Sequence, residues 1–428
     1  MNTDSNSSRR DFIATSGVAV AGAALASSIA SRAHAAGDDV IKIGLVGCGG
    51  RGTGAAMQAL NADKNVKLVA MGDTFSDQLE SSLNQLKKDK TVGDKVAVDA
   101  EHKFVGFDAY KKVIESCDVV LLATAIQFRP LHLKACVEAG KHVFAEKPVA
   151  VDGPGVRSII ESCEAAKKKN LSIVSGLCYR YEYPKRETIA KIHDGSIGEI
   201  VALQTNYLAG PLRKIDKTPA MSEMEWQVRN WWYFTWLSGD IIVEQHVHSL
   251  DKIAWAMKDE YPVKCIGSGG RQQRVDPAYG HIYDHFNIIY EYKSGVKCFS
   301  ACRQYDRSDT DVSDYVMGTK GVAILNGAPG HTISGENKWK YSGKANNMYQ
   351  TEHDELFAAI RSGKPINNGD YMAKSTLMAI MGRNSAYTGK TVTWEQALNS
   401  KEDMTPPKYE WGPMPMPPVP MPGFTKLV

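Results

Sequence analysis

Ile41-Lys42-Ile43-Gly44-Leu45-Val46-Gly47-Cys48-Gly49-Gly50-Arg51-Gly52 reads as a short apolar strand running straight into a glycine turn of the form G-x-G-x-x-G. A helical pattern follows over 53–60, a second strand over 66–72, and Asp73 stands 21 residues beyond Gly52. The glycine motif alone is a weak signal. Strand, turn, helix, strand and acid in this order and spacing define a Rossmann dinucleotide-binding unit. Gly47 permits the tight turn, Gly49 lets the backbone approach a pyrophosphate, and Gly52 lets helix and strand pack closely. The helix N-terminus offers free N–H groups and the positive end of its dipole to phosphate. Asp73 accepts hydrogen bonds from a ribose diol and repels a 2′-phosphate, which favours NAD over NADP.

The βα alternation continues outward. Residues 117–124 form a near-continuous apolar run, the signature of a fully buried parallel strand, and end at Thr124. A crossover helix over 131–139 and a strand over 142–145 lead into Glu146-Lys147-Pro148. Open α/β sheets place ligands at such strand ends. A lysine there can hold a substrate hydroxyl and stabilise the alkoxide that develops as hydride leaves, although most lysines are solvated surface residues.

The Gly47–Gly52 turn, Asp73, Thr124 and Glu146-Lys147-Pro148 together resemble the Gfo/Idh/MocA oxidoreductases, the family of glucose–fructose oxidoreductase and inositol dehydrogenase. The resemblance covers about residues 41–398. It implies an α/β fold with an N-terminal Rossmann domain and a C-terminal α/β domain on a large, mostly antiparallel sheet. It implies that the turn residues with Asp73, Thr124, Glu146 and Lys147 contact the cofactor, that the peptide before Pro148 is cis, and that subunits assemble into a dimer or tetramer. The family also places an acid four residues before a histidine on a helix of the second domain. Glu244-Gln245-His246-Val247-His248 matches, with Glu for the more usual Asp. Apolar residues 247, 250, 253 and 254 keep helical spacing, so Glu244 and His248 are expected on one helix face. His248 can take a hydroxyl proton, and Glu244 can orient it.

Other positions are softer. His246 beside His248 suggests a substrate contact, or with His281 and His285 a metal site; the latter pair alternates within an expected strand over 281–292, and the assignment is no metal. Trp232, in an aromatic run before Glu244, offers a flat face suited to a sugar ring or to core packing. Arg180 follows an expected strand over 171–178 in a region that borders the substrate in the family. Further strands are expected over 200–207, 263–267, 296–303 and 314–318, and helices over 354–361 and 372–388.

The 428 residues carry 51 Lys+Arg against 48 Asp+Glu, a net charge of +3 without basic runs, which argues against nucleic acid as a partner. The 8 cysteines are too sparse for a disulfide scaffold. Arg9-Arg10 ahead of a weakly apolar stretch, then Ala33-His34-Ala35, resembles a cleaved twin-arginine export signal. The expected organisation is therefore signal 1–35, Rossmann domain 36–165, substrate and oligomerisation domain 166–404, and tail 405–428. The tail holds eight of the 18 prolines and is expected to run as an extended arm across a neighbouring subunit, the alternative being a disordered segment. The mature chain would be periplasmic, without a stable membrane anchor.

These readings converge on an NAD-dependent oxidoreductase acting on a hydroxyl-bearing carbon of a sugar, glycoside or cyclitol. Outside the cytoplasm no NAD pool recycles the coenzyme, so a cofactor retained and regenerated within each cycle is expected, as when one sugar is oxidised and another reduced. Two alternatives stay open: a redox-neutral NAD-dependent glycosidase working by oxidation, elimination and hydration, and a non-catalytic sugar sensor.

Overall fold

A computed structural model describes residues 39–326 and 330–428. The export signal over 1–35 lies outside the described residues. Among those described, no helix is long and apolar enough to cross a membrane.

The first sheet is built from β1 (Ile41–Val46), β2 (Val66–Asp73), β3 (Lys103–Val105), β4 (Val119–Leu122), β5 (His142–Ala145) and β6 (Ile173–Ser175). Its order is β3-β2-β1-β4-β5-β6, parallel throughout. Every residue of β4 is fully buried, as an apolar strand between two helical layers must be. The sheet runs past residue 165, because β6 is its sixth strand. That strand is shorter than expected: it ends at Ser175, and the chain enters a 3₁₀ turn at Cys178–Tyr181. The helix Met348–Ser362 packs back on the helix Gly50–Ala62. Arg361 fixes that return, its Nε donating to Asp63 Oδ2 at 2.9 Å.

The second sheet has nine strands: β7 (Ile200–Ala209), β8 (Lys264–Gly270), β9 (His285–Glu291), β10 (Lys297–Gln304), β11 (Asp311–Gly318), β12 (Gly321–Asn326), β13 (Thr332–Gly335), β14 (Trp339–Lys340) and β15 (Val392–Thr393). Their order is β14-β13-β12-β11-β7-β10-β9-β8-β15. Only β7 and β10 pair in parallel; the other neighbours are antiparallel. The strand expected over 281–292 begins at His285, because the carboxylate of Asp284 accepts the backbone N–H groups of Gln272, Gln273 and Arg274 and turns the chain. His281 and His285 therefore do not share a strand. The mostly buried helix Gly369–Thr388 packs against the helix Gly153–Lys168 and strand β8. One cluster of buried side chains runs from Val120 and Val143 to Tyr290 and Val316, so the two sheets share a core.

The tail runs as the expected extended segment, without helix or strand over 405–428. It lies along its own chain, with Gln127 Nε2 donating to Thr405 Oγ1 at 3.0 Å and Tyr283 Oη to Pro420 O at 2.8 Å. Ser400 Oγ also donates to Val428 O at 2.6 Å. All eight cysteines are buried and free.

Candidate active site

The glycine turn explains itself sterically. Gly47 has φ +95°, and a Cβ there would lie 2.6 Å from the backbone of Ala123 and Thr124. At Gly52 a Cβ would stand 1.9 Å from Gly47 O. Gly49 and Gly50 differ, because a Cβ at either would meet nothing within 4 Å. They face the open side of the turn, at the start of the helix Gly50–Ala62. Asp73 accepts Cys48 N–H at 2.6 Å and Phe75 N–H at 2.8 Å, and burial pushes its carboxyl above the usual carboxylate range. Cys48 contributes this backbone contact; its thiol is buried and pushed well up, chiefly by desolvation.

A cleft of about 310 Å³ opens over this turn, lined by Gly47, Gly49, Gly50, Asp73, Thr124 and, from the second unit, Arg229 and Trp232. Thr124 Oγ1 is buried on this lining without a hydrogen-bond partner. An open cradle at Gly49 and Gly50, an acid at the end of β2 and an unpartnered hydroxyl are what a dinucleotide requires. The residues present fit NAD.

Lys147 follows β5, and its peptide to Pro148 is cis. Its ammonium crosses to the second unit, donating to Glu244 O at 2.6 Å and Glu244 Oε1 at 3.2 Å. Both side chains are about 15% exposed. Glu244 thus faces Lys147, and no hydrogen bond joins its carboxylate to His248, whose Nδ1 is buried without a partner. The continuous helix expected through both residues is broken. Ile241–Glu244 is one turn and Val247–Ala256 a separate helix. His246 N–H bonds to Ile241 O at 3.1 Å, a five-residue step that widens the turn. Side chains hold the break: Gln304 Nε2 donates to Gln245 Oε1 at 2.8 Å, and His246 Nε2 lies 2.7 Å from Ser300 Oγ.

His248 and Tyr179 pack edge to face, 5.1 Å between ring centroids. Burial first, then the charges of Lys147, Lys252, Lys185 and Arg51, push His248 well below the ordinary histidine value, so it is neutral at neutral pH. Lys185 and Lys252 place their ammonium groups 4.4 and 4.6 Å from the centre of the Tyr179 ring. Each of these cations has a carboxylate: Lys147 has Glu244, Lys185 has Glu182 and Lys252 has Asp314. Sequence reasoning missed Tyr179, Lys185, Lys252 and Asp314. Only the pattern Glu244, His248, Lys252 at four-residue steps could have pointed to one of them.

Three expected roles change. Arg180 is no open substrate contact: its Nε donates to Asp251 Oδ2 at 2.9 Å, its Nη2 to Asp259 Oδ1 at 2.6 Å, and its guanidinium lies 3.9 Å over the Tyr371 ring. His246 is fully buried behind the site and pushed down to about 3 by desolvation. Glu146 turns its carboxylate to Arg51 Nε and to Lys147 N–H at 3.1 Å, rather than into the cleft. Arg51 also donates Nη2 to Glu352 Oε1 at 3.2 Å; burial and the charge of Glu146 push Glu352 well up. Arg129, also missed, clamps the lysine element by donating to Pro148 O and, at 2.6 Å, to Thr124 O. Among the described residues, no group of three or more His, Cys, Asp or Glu is disposed to hold a metal ion.

The fold and site define a two-domain dinucleotide-binding protein. A model of the GFO/IDH/MocA oxidoreductase family, NAD-binding Rossmann fold, matches residues 41–176, and that of the GFO/IDH/MocA C-terminal domain matches 186–324. The chain belongs to the GFO/IDH/MocA family of oxidoreductases. It is 26% identical over 293 residues to inositol 2-dehydrogenase of Serratia proteamaculans, covering 67% of this chain and 74% of the relative. Among solved structures it is similar to the aldose–aldose oxidoreductase of Caulobacter crescentus, with TM-score 0.64, 20% identity, and coverage of 83% of this chain and 99% of that one. It is also similar to myo-inositol 2-dehydrogenase of Lactobacillus plantarum, with the same TM-score of 0.64, 20% identity, and coverage of 83% and 99%. At such identities the solved structures speak for the fold.

Proposed function

We propose that the chain interconverts a secondary alcohol and a ketone on an uncharged sugar or cyclitol, using NAD in preference to NADP. The observation that carries this reading is the meeting of Lys147, from the Rossmann unit, with Glu244, beside His248, from the second unit. NAD, when bound, supplies the acceptor for the hydride that leaves the carbon. Lys147 binds the substrate oxygen and stabilises the negative charge that grows on it. His248, neutral and buried, takes the hydroxyl proton, which leaves a carbonyl, and returns it in the reverse direction. Glu244 holds the lysine ammonium in place. Lys147, Lys185 and Lys252 are each paired with a carboxylate, which supports a neutral polyol over an anionic substrate at this end of the site. The inositol 2-dehydrogenase relatives support the same substrate class. Asp73 at the ribose position supports NAD.

The twin-arginine pattern at Arg9-Arg10 and the Ala33-His34-Ala35 signal support export of the folded, cofactor-loaded chain to the periplasm. Retention of the cofactor through each cycle follows from that location. The test is a screen of sugars, glycosides and cyclitols against the purified chain, reading nicotinamide absorbance and product together. Oxidation of one polyol class, read as reduction of the bound NAD or as matched reduction of a second sugar, supports the reading. Aglycone release from a glycoside without net nicotinamide change establishes the redox-neutral glycosidase instead. Saturable sugar binding with no turnover on any substrate leaves a sensor.

A further inference from the structure

Phe75, two residues past Asp73, and Phe128, past Thr124, line the dinucleotide cleft. Phe107 lies beside them, in a smaller pocket with Asp73, Thr124 and Phe128. These rings are covered from outside by the C-terminal tail. Trp411 stacks on Phe75 at 5.4 Å and 21°, and approaches Phe107 at 4.7 Å. Tyr409 lies 5.3 Å from Phe128 and 5.8 Å from Phe107. Phe75 also carries the guanidinium of Arg229 at 3.8 Å, and Arg229 Nη1 donates to Asp77 Oδ2 at 3.0 Å.

The same tail is tied to the element that bears Arg229. The helix Glu223–Arg229 is bonded to it twice, Met224 N–H to Gly412 O at 3.1 Å and Gln227 Nε2 to Met414 O at 2.9 Å. Upstream, Met404 N–H donates to Asp152 Oδ2 at 2.9 Å on the Rossmann unit. The tail therefore crosses from one unit to the other over the Asp73 end of the cleft, anchored on both sides. Its prolines reduce the number of conformations available when it detaches, so the closed path costs little entropy to keep.

We infer that residues 405–414 form an outer wall of the dinucleotide site, with Tyr409 and Trp411 as its anchors, and that this strap must lift before the cofactor can leave. The inference rests on the reading of the cleft as the NAD site. Phe75, Phe107 and Phe128 hold the cleft's shape at the ribose and base end, and the two tail rings keep them from opening. A chain working where no NAD pool exists would need such a closure, since its slow step of cofactor loss sets how many turnovers one loading supports.

The experiment loads the full chain with NADH, mixes it with excess NAD, and follows the loss of bound-nicotinamide fluorescence by stopped flow. Trp411→Ala should release NADH about ten-fold faster than wild type, the equivalent of one aromatic stacking contact, and Trp411→Phe should restore slow release. Tyr409→Ala should act in the same direction, and serves if Trp411→Ala proves unfolded by circular dichroism. Phe424→Ala, in the same tail but 81% exposed, should leave the rate at its wild-type value. Folded Trp411→Ala and Tyr409→Ala variants that release NADH at the wild-type rate overturn the strap while leaving the cofactor reading intact. A wild-type chain that takes up no nicotinamide nucleotide overturns the cofactor reading and the strap with it.

Discussion

Replacing Lys147 with Met tests the proposed chemistry on two independent readouts. The side chain is similar in length, but the ammonium that meets Glu244 O at 2.6 Å and Oε1 at 3.2 Å is gone. Loss of a preorganised donor at the site of developing negative charge costs about 10²–10³ in kcat, or about 3–4 kcal/mol. Stability should fall by about 1–3 kcal/mol, because Glu244 keeps a poorly solvated carboxylate without its partner. The second readout is the pH profile. His248 is held well below its ordinary value of 6.5 by burial, and Lys147 is the largest of the charges that add to this. Removing that cation makes the imidazolium less unfavourable, so the histidine pKa must rise. The acid limb of kcat/KM should therefore move to higher pH in Lys147→Met, while Lys147→Arg should keep it near the wild-type position. Steady-state rates from acid to neutral pH, on the substrate found by the screen, measure both effects. A kcat within about three-fold of wild type, or an acid limb that stays in place while kcat falls, would refute the shared placement of Lys147 and His248 around one reacting hydroxyl.

Other consequences are separable. Gly52→Ala places a methyl 1.9 Å from Gly47 O, so NAD binding by titration should be lost and the melting temperature lowered. Asp73→Ser should raise the ratio of NADP to NAD affinity at least about ten-fold, because the 2′-phosphate no longer meets a carboxylate. Arg180→Met should cost about 3–5 kcal/mol in urea unfolding, since Asp251 is left buried and unpaired, with KM scarcely changed. A large rise in KM without a stability loss would return Arg180 to the substrate. His132 and His246 are buried and pushed down to about 3, so the unfolded chain binds protons on them that the folded chain does not. Stability present above pH 6.5 should therefore fall as pH drops toward 5, by as much as about 2 kcal/mol per histidine; His246→Asn should flatten that fall.

The parts legible in the sequence are those whose physics is local. The turn from Gly47 to Gly52 is dictated by contacts of a few residues with the strand and loop beside it, and its motif survives as a continuous string. Lys147 was legible because it ends an apolar strand of obvious type. Glu244 and His248 were legible as residues but not as a geometry. Their apolar neighbours keep helical spacing, yet Gln245 and His246 are drawn to Gln304 and Ser300 on β10, more than fifty positions away, and the helix gives way between them. Arg180 was misread for the same reason. Nothing near it announces Asp251 and Asp259, which become neighbours only after the second unit has folded. Short strands such as β14 and β15, two residues each, carry no periodicity to detect.

The long-range contacts also explain why the two halves of the site depend on one another. Arg51 belongs to the glycine turn, and its guanidinium binds Glu146 and Glu352. Glu146 in turn accepts the N–H of Lys147, whose ammonium reaches Glu244. A single chain of charge-assisted contacts therefore runs from the glycine turn, through the lysine element, to the short helix that precedes His248. Glu352 reaches this chain from the helix Met348–Ser362, which returns from the second unit to pack on the first. The lysine proposed to hold the substrate oxygen thus stands one residue beyond the glutamate that meets the glycine turn, so the two halves of the proposed site share one set of contacts.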